Sequence, residues 1–226
     1  MRNDICTRPV SEVFEVNDGC PLCRMYNTVQ ERIVDYIMGA AMMEPDIRIV
    51  TNEVGFCKKH FDNMMNKRGR LQLALMLESH IECINENVMT EGIFSGNKAE
   101  KIRKVTDSCF ICDKIEWGMS RMIETLYRCY ETDSDFRKMF NEQGTFCLPH
   151  YERLLNGANK KNMRSYHKEF IKNLTRITKD YAVSLHTDVK HFCSMYDYRN
   201  NEKDADWGNS KDSVERTVAF LTGAER

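Results

Sequence analysis

The chain has 226 residues, 30% of them charged and 42% hydrophobic, with a formal net charge of −1. That length can bury a proper core in one or two domains. The balanced charge gives no basic excess for nucleic acid, and no apolar run approaches the ~20 residues that span a bilayer. The opening Met1-Arg2-Asn3-Asp4-Ile5-Cys6 also lacks the apolar core of a secretory signal, so a cytoplasmic protein is expected.

In chain order, the pattern is helical nearly throughout. After Cys23 the residues Met25, Tyr26, Val29, Ile33, Tyr36, Ile37 and Ala40 recur at helical spacing. Pro45-Asp46 marks a break, and a short segment leads to Gly55. Residues 57–66 read as a helix start with His60 on its first turn. Gly69 interrupts, and Leu73, Met76, Leu77, Ile81, Ile84 and Val88 form the next stripe. Gly92 to Lys98 reads as a linker.

The second half repeats the plan. Ile115, Met119, Met122, Leu126 and Tyr130 line one helix. A short segment from Asp133 to Gln143 ends at Gly144, and Cys147 opens a helix that breaks near Gly157-Ala158-Asn159. Met163, Tyr166, Phe170, Leu174, Ile177, Tyr181 and Leu185 form a long stripe, read as core. Residues 196–210 are polar and loop-like. Lys211 to Thr222 is a short helix with the stripe Val214, Val218, Leu221 and a terminating Gly223.

Within this frame one ligand set is written twice. Cys20-Pro21-Leu22-Cys23 is followed by Phe56-Cys57-Lys58-Lys59-His60, and Cys109-Phe110-Ile111-Cys112 by Phe146-Cys147-Leu148-Pro149-His150. The gaps are 33 and 34 residues. The likeness extends beyond the ligands. At an offset of 89, Asp18 falls on Asp107, Asp46 on Asp135, Arg48 on Arg137, Asn52-Glu53 on Asn141-Glu142, and Gly55 on Gly144. Thr145 is then one inserted residue. The expected fold is therefore all-α. Two helical metal-binding repeats, residues 1–95 and 96–195, pack with pseudo-two-fold symmetry, and residues 196–226 form a C-terminal loop and clasp helix.

Three thiols and one imidazole per set point to two metal sites. The C-x2-C spacing lets one turn of backbone present both sulfurs to one ion. C-x2-H on a first helical turn offers its two donors from one face, and the helix N-terminus favours thiolate. The metal ligands are thus Cys20, Cys23, Cys57, His60, Cys109, Cys112, Cys147 and His150. Two zinc ions are the expected cofactors, with an iron–sulfur cluster as the alternative. Pairing within each repeat is the expectation. A helix of about 18 residues runs out roughly 27 Å, and the remaining dozen residues can return that far if partly extended. Exchange, with Cys20 and Cys23 meeting Cys147 and His150, is compatible with the same spacings.

Other candidates are weaker. Cys6, Cys83, Cys129 and Cys193 read as small packed hydrophobes. His80, three residues before Cys83, and His167 read as hydrogen-bonded core histidines. His186, His191 and Cys193 cluster near one helix end without a partner motif. Trp117 and Trp207 read as packing anchors. No nucleotide loop or hydrolase motif is present, and no catalytic pair stands out. The expected role is a structural-metal binding or regulatory protein with a macromolecular partner, oligomerisation being compatible. A redox protein or enzyme with iron–sulfur or zinc–thiolate centres is the alternative.

These motifs resemble a family of bacterial and archaeal proteins classed as a domain of unknown function. Its pattern has C-P-x-C early, G-F-C-x-x-H about 35 residues on, a degenerate second copy, and a tail like Phe192, Asp197-Tyr198-Arg199, Trp207-Gly208 and Lys211-Asp212. This chain departs from it at Phe110, in place of proline, and at Thr145. The resemblance implies the same boundaries and ligands and supplies no activity. The tail itself is expected to pack back as a clasp, with Arg199 paired to a carboxylate.

Overall fold

A computed structural model describes residues 7–90, 95–197 and 206–223. The helices are α1 (Arg8–Glu15), α2 (Pro21–Met38), α3 (Pro45–Val54), α4 (Lys58–Asn66), α5 (Arg70–Asn87), α6 (Ser95–Thr106), α7 (Phe110–Thr132), α8 (Ser134–Asn141), α9 (Leu148–Gly157), α10 (His167–Met195) and α11 (Ser213–Thr222), with 3-10 turns at Ala40–Met43 and Gly208–Ser210. No strand occurs among the described residues, so the all-α class holds.

Packing divides the chain into two compact units, Met1–Asn27 with Arg121–Arg226, and Thr28–Ser120. Each unit takes parts of both sequence repeats, because α2 and α7 each begin in one unit and end in the other.

The first unit is organised by aromatic residues. The rings of Phe14, Tyr130, Phe146 and Phe170 lie 5.0–5.7 Å from Phe140, and Phe136 packs on Phe14 at 5.1 Å. Phe140 and Phe146 are both fully buried. The short segment from Asp133 is helix α8, started by the Asp133 carboxylate, which accepts from the backbone of Asp135 at 2.9 Å and Phe136 at 3.1 Å. Helix α10 packs against α8, α9 and α11. The tail is pinned by Arg216, whose guanidinium pairs with Asp188 at 3.0 Å and Asp212 at 2.9 Å, while Phe220 meets Tyr181 at 5.6 Å. Gly223 ends α11 at φ +86°. Helix α11 packs on α9 and α10; Tyr198 and Arg199 lie outside the described residues.

In the second unit α3 packs along α5. Arg48 donates to Leu75 O at 3.0 Å and Ser79 Oγ at 2.6 Å, and Ser79 donates to Asn52 Oδ1 at 2.9 Å. His80 donates from Nδ1 to Asn52 O at 2.8 Å, which makes it the hydrogen-bonded core histidine its position suggested. Gly55 turns the chain at φ +67°, and a Cβ there would meet His80 Nε2 at 2.9 Å, so the turn requires glycine.

Several elements differ from the sequence expectations. Helix α1 carries no ligand motif and was not anticipated; its buried Val10 and Phe14 give it a packed face. The linker placed at 92–98 lies partly outside the described residues, and from Ser95 onward it is the first turn of α6. Trp117, expected in the core, is 65% exposed, because the buried face of α7 runs through Ile111, Ile115, Met119, Ile123 and Leu126. Trp207 does pack, against Phe192 and Tyr196 at 5.8 Å.

Candidate metal centres

Each predicted ligand sits at a helix start. Cys20 precedes α2, Cys109 precedes α7, and Cys23 and Cys112 lie on their first turns. Cys57 and Cys147 are the N-caps of α4 and α9, with closely similar backbones (φ −73°, ψ 162° and φ −67°, ψ 155°). The extra Thr145 is absorbed before the knuckle. Gly55 needs a positive φ, whereas Gly144 does not and is held instead by Asn17, which accepts from Gly144 N at 2.6 Å and donates to Glu142 O at 2.9 Å. Gln143 donates to Phe14 O at 2.8 Å, and Arg24 to Val13 O at 2.8 Å.

The eight residues come together as two tetrads, but not within the repeats. Cys20 and Cys23 meet Cys147 and His150 (centre 1), and Cys109 and Cys112 meet Cys57 and His60 (centre 2). In each, all four donor atoms lie within 4.8 Å of one another. The expectation of pairing within a repeat is corrected, and the reason is geometric. The residues after α2 do not return in extended form. They fold into a 3-10 turn and the ten-residue α3, and a helix of that length reaches only about 15 Å. The exchange puts each tetrad inside one compact unit.

Centre 1 has Cys23 Sγ 3.6 Å from Cys147 Sγ, and His150 Nδ1 3.6, 3.4 and 3.2 Å from the sulfurs of Cys20, Cys23 and Cys147. Centre 2 has Cys57 Sγ 3.8 Å from Cys112 Sγ, and His60 Nδ1 3.2, 3.2 and 3.4 Å from those of Cys57, Cys109 and Cys112. A tetrahedral ion with bonds of about 2.3 Å to sulfur and about 2.0–2.1 Å to nitrogen sets S···S at about 3.8 Å and S···N at about 3.5 Å. Both tetrads approach that figure, and the sulfurs are far beyond the ~2.05 Å of a disulfide. Each tetrad can hold a metal ion.

The electrostatics agree. Burial, with Cys147 and Cys23 adding, holds the Cys20 thiol well above its ordinary range. Burial and the adjoining Cys109 and Cys57 push Cys112 up to about 12. Cys23 is displaced downward by hydrogen bonds from Cys147 and Cys20. Burial, joined by the charge of Lys59, pushes His60 down to about 4, so its imidazole is neutral at physiological pH. Three thiolates crowded at one point repel; a cation there offsets the repulsion and holds all three ionised.

A further support, like Asn17 and Gln143, carried no sequence signal. Gln30 on α2 places Oε1 3.3 Å from His60 Nε2. A proton on Nε2 donated to Gln30 leaves Nδ1 with its lone pair toward the sulfurs. Only the need of any ligating histidine for a second partner could have suggested such a residue. Gln30→Leu is expected to weaken metal binding at centre 2 about 10–100-fold and leave centre 1 unchanged, measured by competition with a chromogenic chelator.

The remaining candidates do not assemble. Among the described residues no donor group besides the two tetrads forms. His191 is bonded to Asp206 O at 2.9 Å, His167 stands 3.4 Å from Ala158 O at the start of α10, and Cys129 is packed. Cys83 is half-buried, Cys193 is exposed, and Cys6 lies outside the described residues. No described helix is long and apolar enough to cross a membrane.

The chain belongs to the family of unknown function DUF6062, which it matches over residues 1–226. Compared with curated proteins and with solved structures, it matches none.

Proposed function

For a member of this family, we propose that each tetrad binds a single zinc ion and that the protein is a metal-stapled helical scaffold with a binding or regulatory role. The observation that carries this is the donor set: three sulfurs and one imidazole nitrogen within 4.8 Å, supplied by helix starts remote in sequence. Four protein ligands close a tetrahedron and leave no position for substrate water, as in structural zinc sites. A cluster interposes several irons and bridging sulfides between its outer ligands, which holds them further apart than ligands of one ion. This compactness favours a mononuclear centre.

The role is one of presentation rather than chemistry. Helix α11, which has no counterpart in the first repeat, buries Phe220 and Ser213 and leaves Val214, Val218 and Leu221 about half exposed, a stripe suited to a macromolecular partner in the cytoplasm. Metal analysis of anaerobically isolated protein, with its absorption spectrum, tests the reading. Two zinc ions per chain, no visible absorption, and loss of cooperative folding on chelation are expected. A brown protein bleached by dithionite would establish the redox alternative instead.

A further inference from the structure

The two centres have the same donors and unequal access to solvent. At centre 1, Cys20, Cys23 and Cys147 are 8%, 4% and 2% exposed. These three cysteines line a cavity of about 410 Å³ together with Gly19, Thr145, Tyr181 and Phe220, but each shows less than a tenth of its surface. At centre 2, His60 and Cys109 are buried, while Cys57 is part-buried and Cys112 is exposed. The sulfurs of those two outward residues are 3.8 Å apart.

We propose that Cys57 and Cys112 form an oxidation site for hydrogen peroxide, at which disulfide formation releases the metal of centre 2 while centre 1 keeps its own. The proposal rests on the metal-binding reading above. Held as thiolate by the ion, exposed Cys112 attacks one peroxide oxygen. The O–O bond breaks, the sulfur becomes a sulfenic acid, and the departing hydroxide takes a proton to become water. The Cys57 thiolate then attacks the sulfenic sulfur, the S–S bond forms, and hydroxide leaves and is protonated to a second water. Two sulfurs are oxidised by two electrons in total and one peroxide is reduced. The sulfurs must close from 3.8 Å to about 2.05 Å, a short movement for side chains at the surface. With two of four donors consumed, His60 and Cys109 alone cannot retain the ion. The same steps at centre 1 would have to run inside its cavity, on cysteines far less exposed than Cys112.

The test treats the full, metal-loaded chain with one equivalent of hydrogen peroxide. Released metal is followed with a chromogenic chelator and disulfides are mapped by peptide mass. The expected result is prompt release of about half the metal and a Cys57–Cys112 crosslink. Equal release from both centres, a crosslink among Cys20, Cys23 and Cys147, or no thiol oxidation would overturn the proposal. A chain that binds no metal would refute the scaffold reading, while disulfide mapping would still decide which thiols peroxide reaches.

Discussion

Replacing Cys147 with serine is expected to lower bound metal from two ions per chain to one and to abolish cooperative folding of the unit formed by the two chain ends. Cys147 is 2% exposed, caps α9, and stands one turn from His150. It directly follows Phe146, whose ring is 5.0 Å from Phe140 in the aromatic core. Losing the thiolate therefore removes a ligand and loosens the link between the centre and the core. Structural zinc binding in small domains is worth roughly 10–16 kcal/mol in apparent terms, against a net folding stability of about 5–15 kcal/mol for a whole domain. One centre is thus on the scale of the entire stability. Metal analysis with thermal unfolding by circular dichroism checks this, and two ions with unaltered melting would show that Cys147 is not a ligand.

Phe140→Ala should destabilise by about 3–5 kcal/mol. Phe140 is fully buried, and four other rings lie within 5.7 Å of it. Truncation leaves a cavity lined by stiff aromatics that cannot collapse into it. Denaturant unfolding of the metal-loaded protein reads the loss as a lower midpoint. The variant should also bind its first metal more weakly, because Phe146 positions Cys147. A midpoint unchanged from the parent would mean that the aromatic cluster contributes little.

The donor residues that gather into the two tetrads, the all-α class and the starts of α4 and α9 were readable because each rests on local chemistry. Cys57-x-x-His60 and Cys147-x-x-His150 place two donors on one helical face whatever the rest of the chain does. The exchange of partners was not readable, because it depends on whether residues 39–54 extend or coil. Ala40–Met43 and Pro45–Val54 are helical, so the chain does not run straight back to Cys23. Helix α1 and the start of α6 were missed for a related reason. Neither carries a ligand, and α6 begins with the glycine and polar residues that otherwise mark a linker. Two residues from Ile115, Trp117 faces away from the buried side of α7, a phase that its apolar character alone does not reveal. The supports of the centres, Gln30, Asn17 and Gln143, act through single long-range hydrogen bonds, for which spacing gives no rule.

The exchanged pairing is most directly tested by the metal content of two double variants. Cys23→Ser with Cys147→Ser removes two ligands of one centre, and Cys23→Ser with Cys57→Ser removes one ligand from each. The first is predicted to retain one ion per chain and the second none. Retention of one ion by the second and none by the first would contradict the exchange and return the ligands to their own repeats.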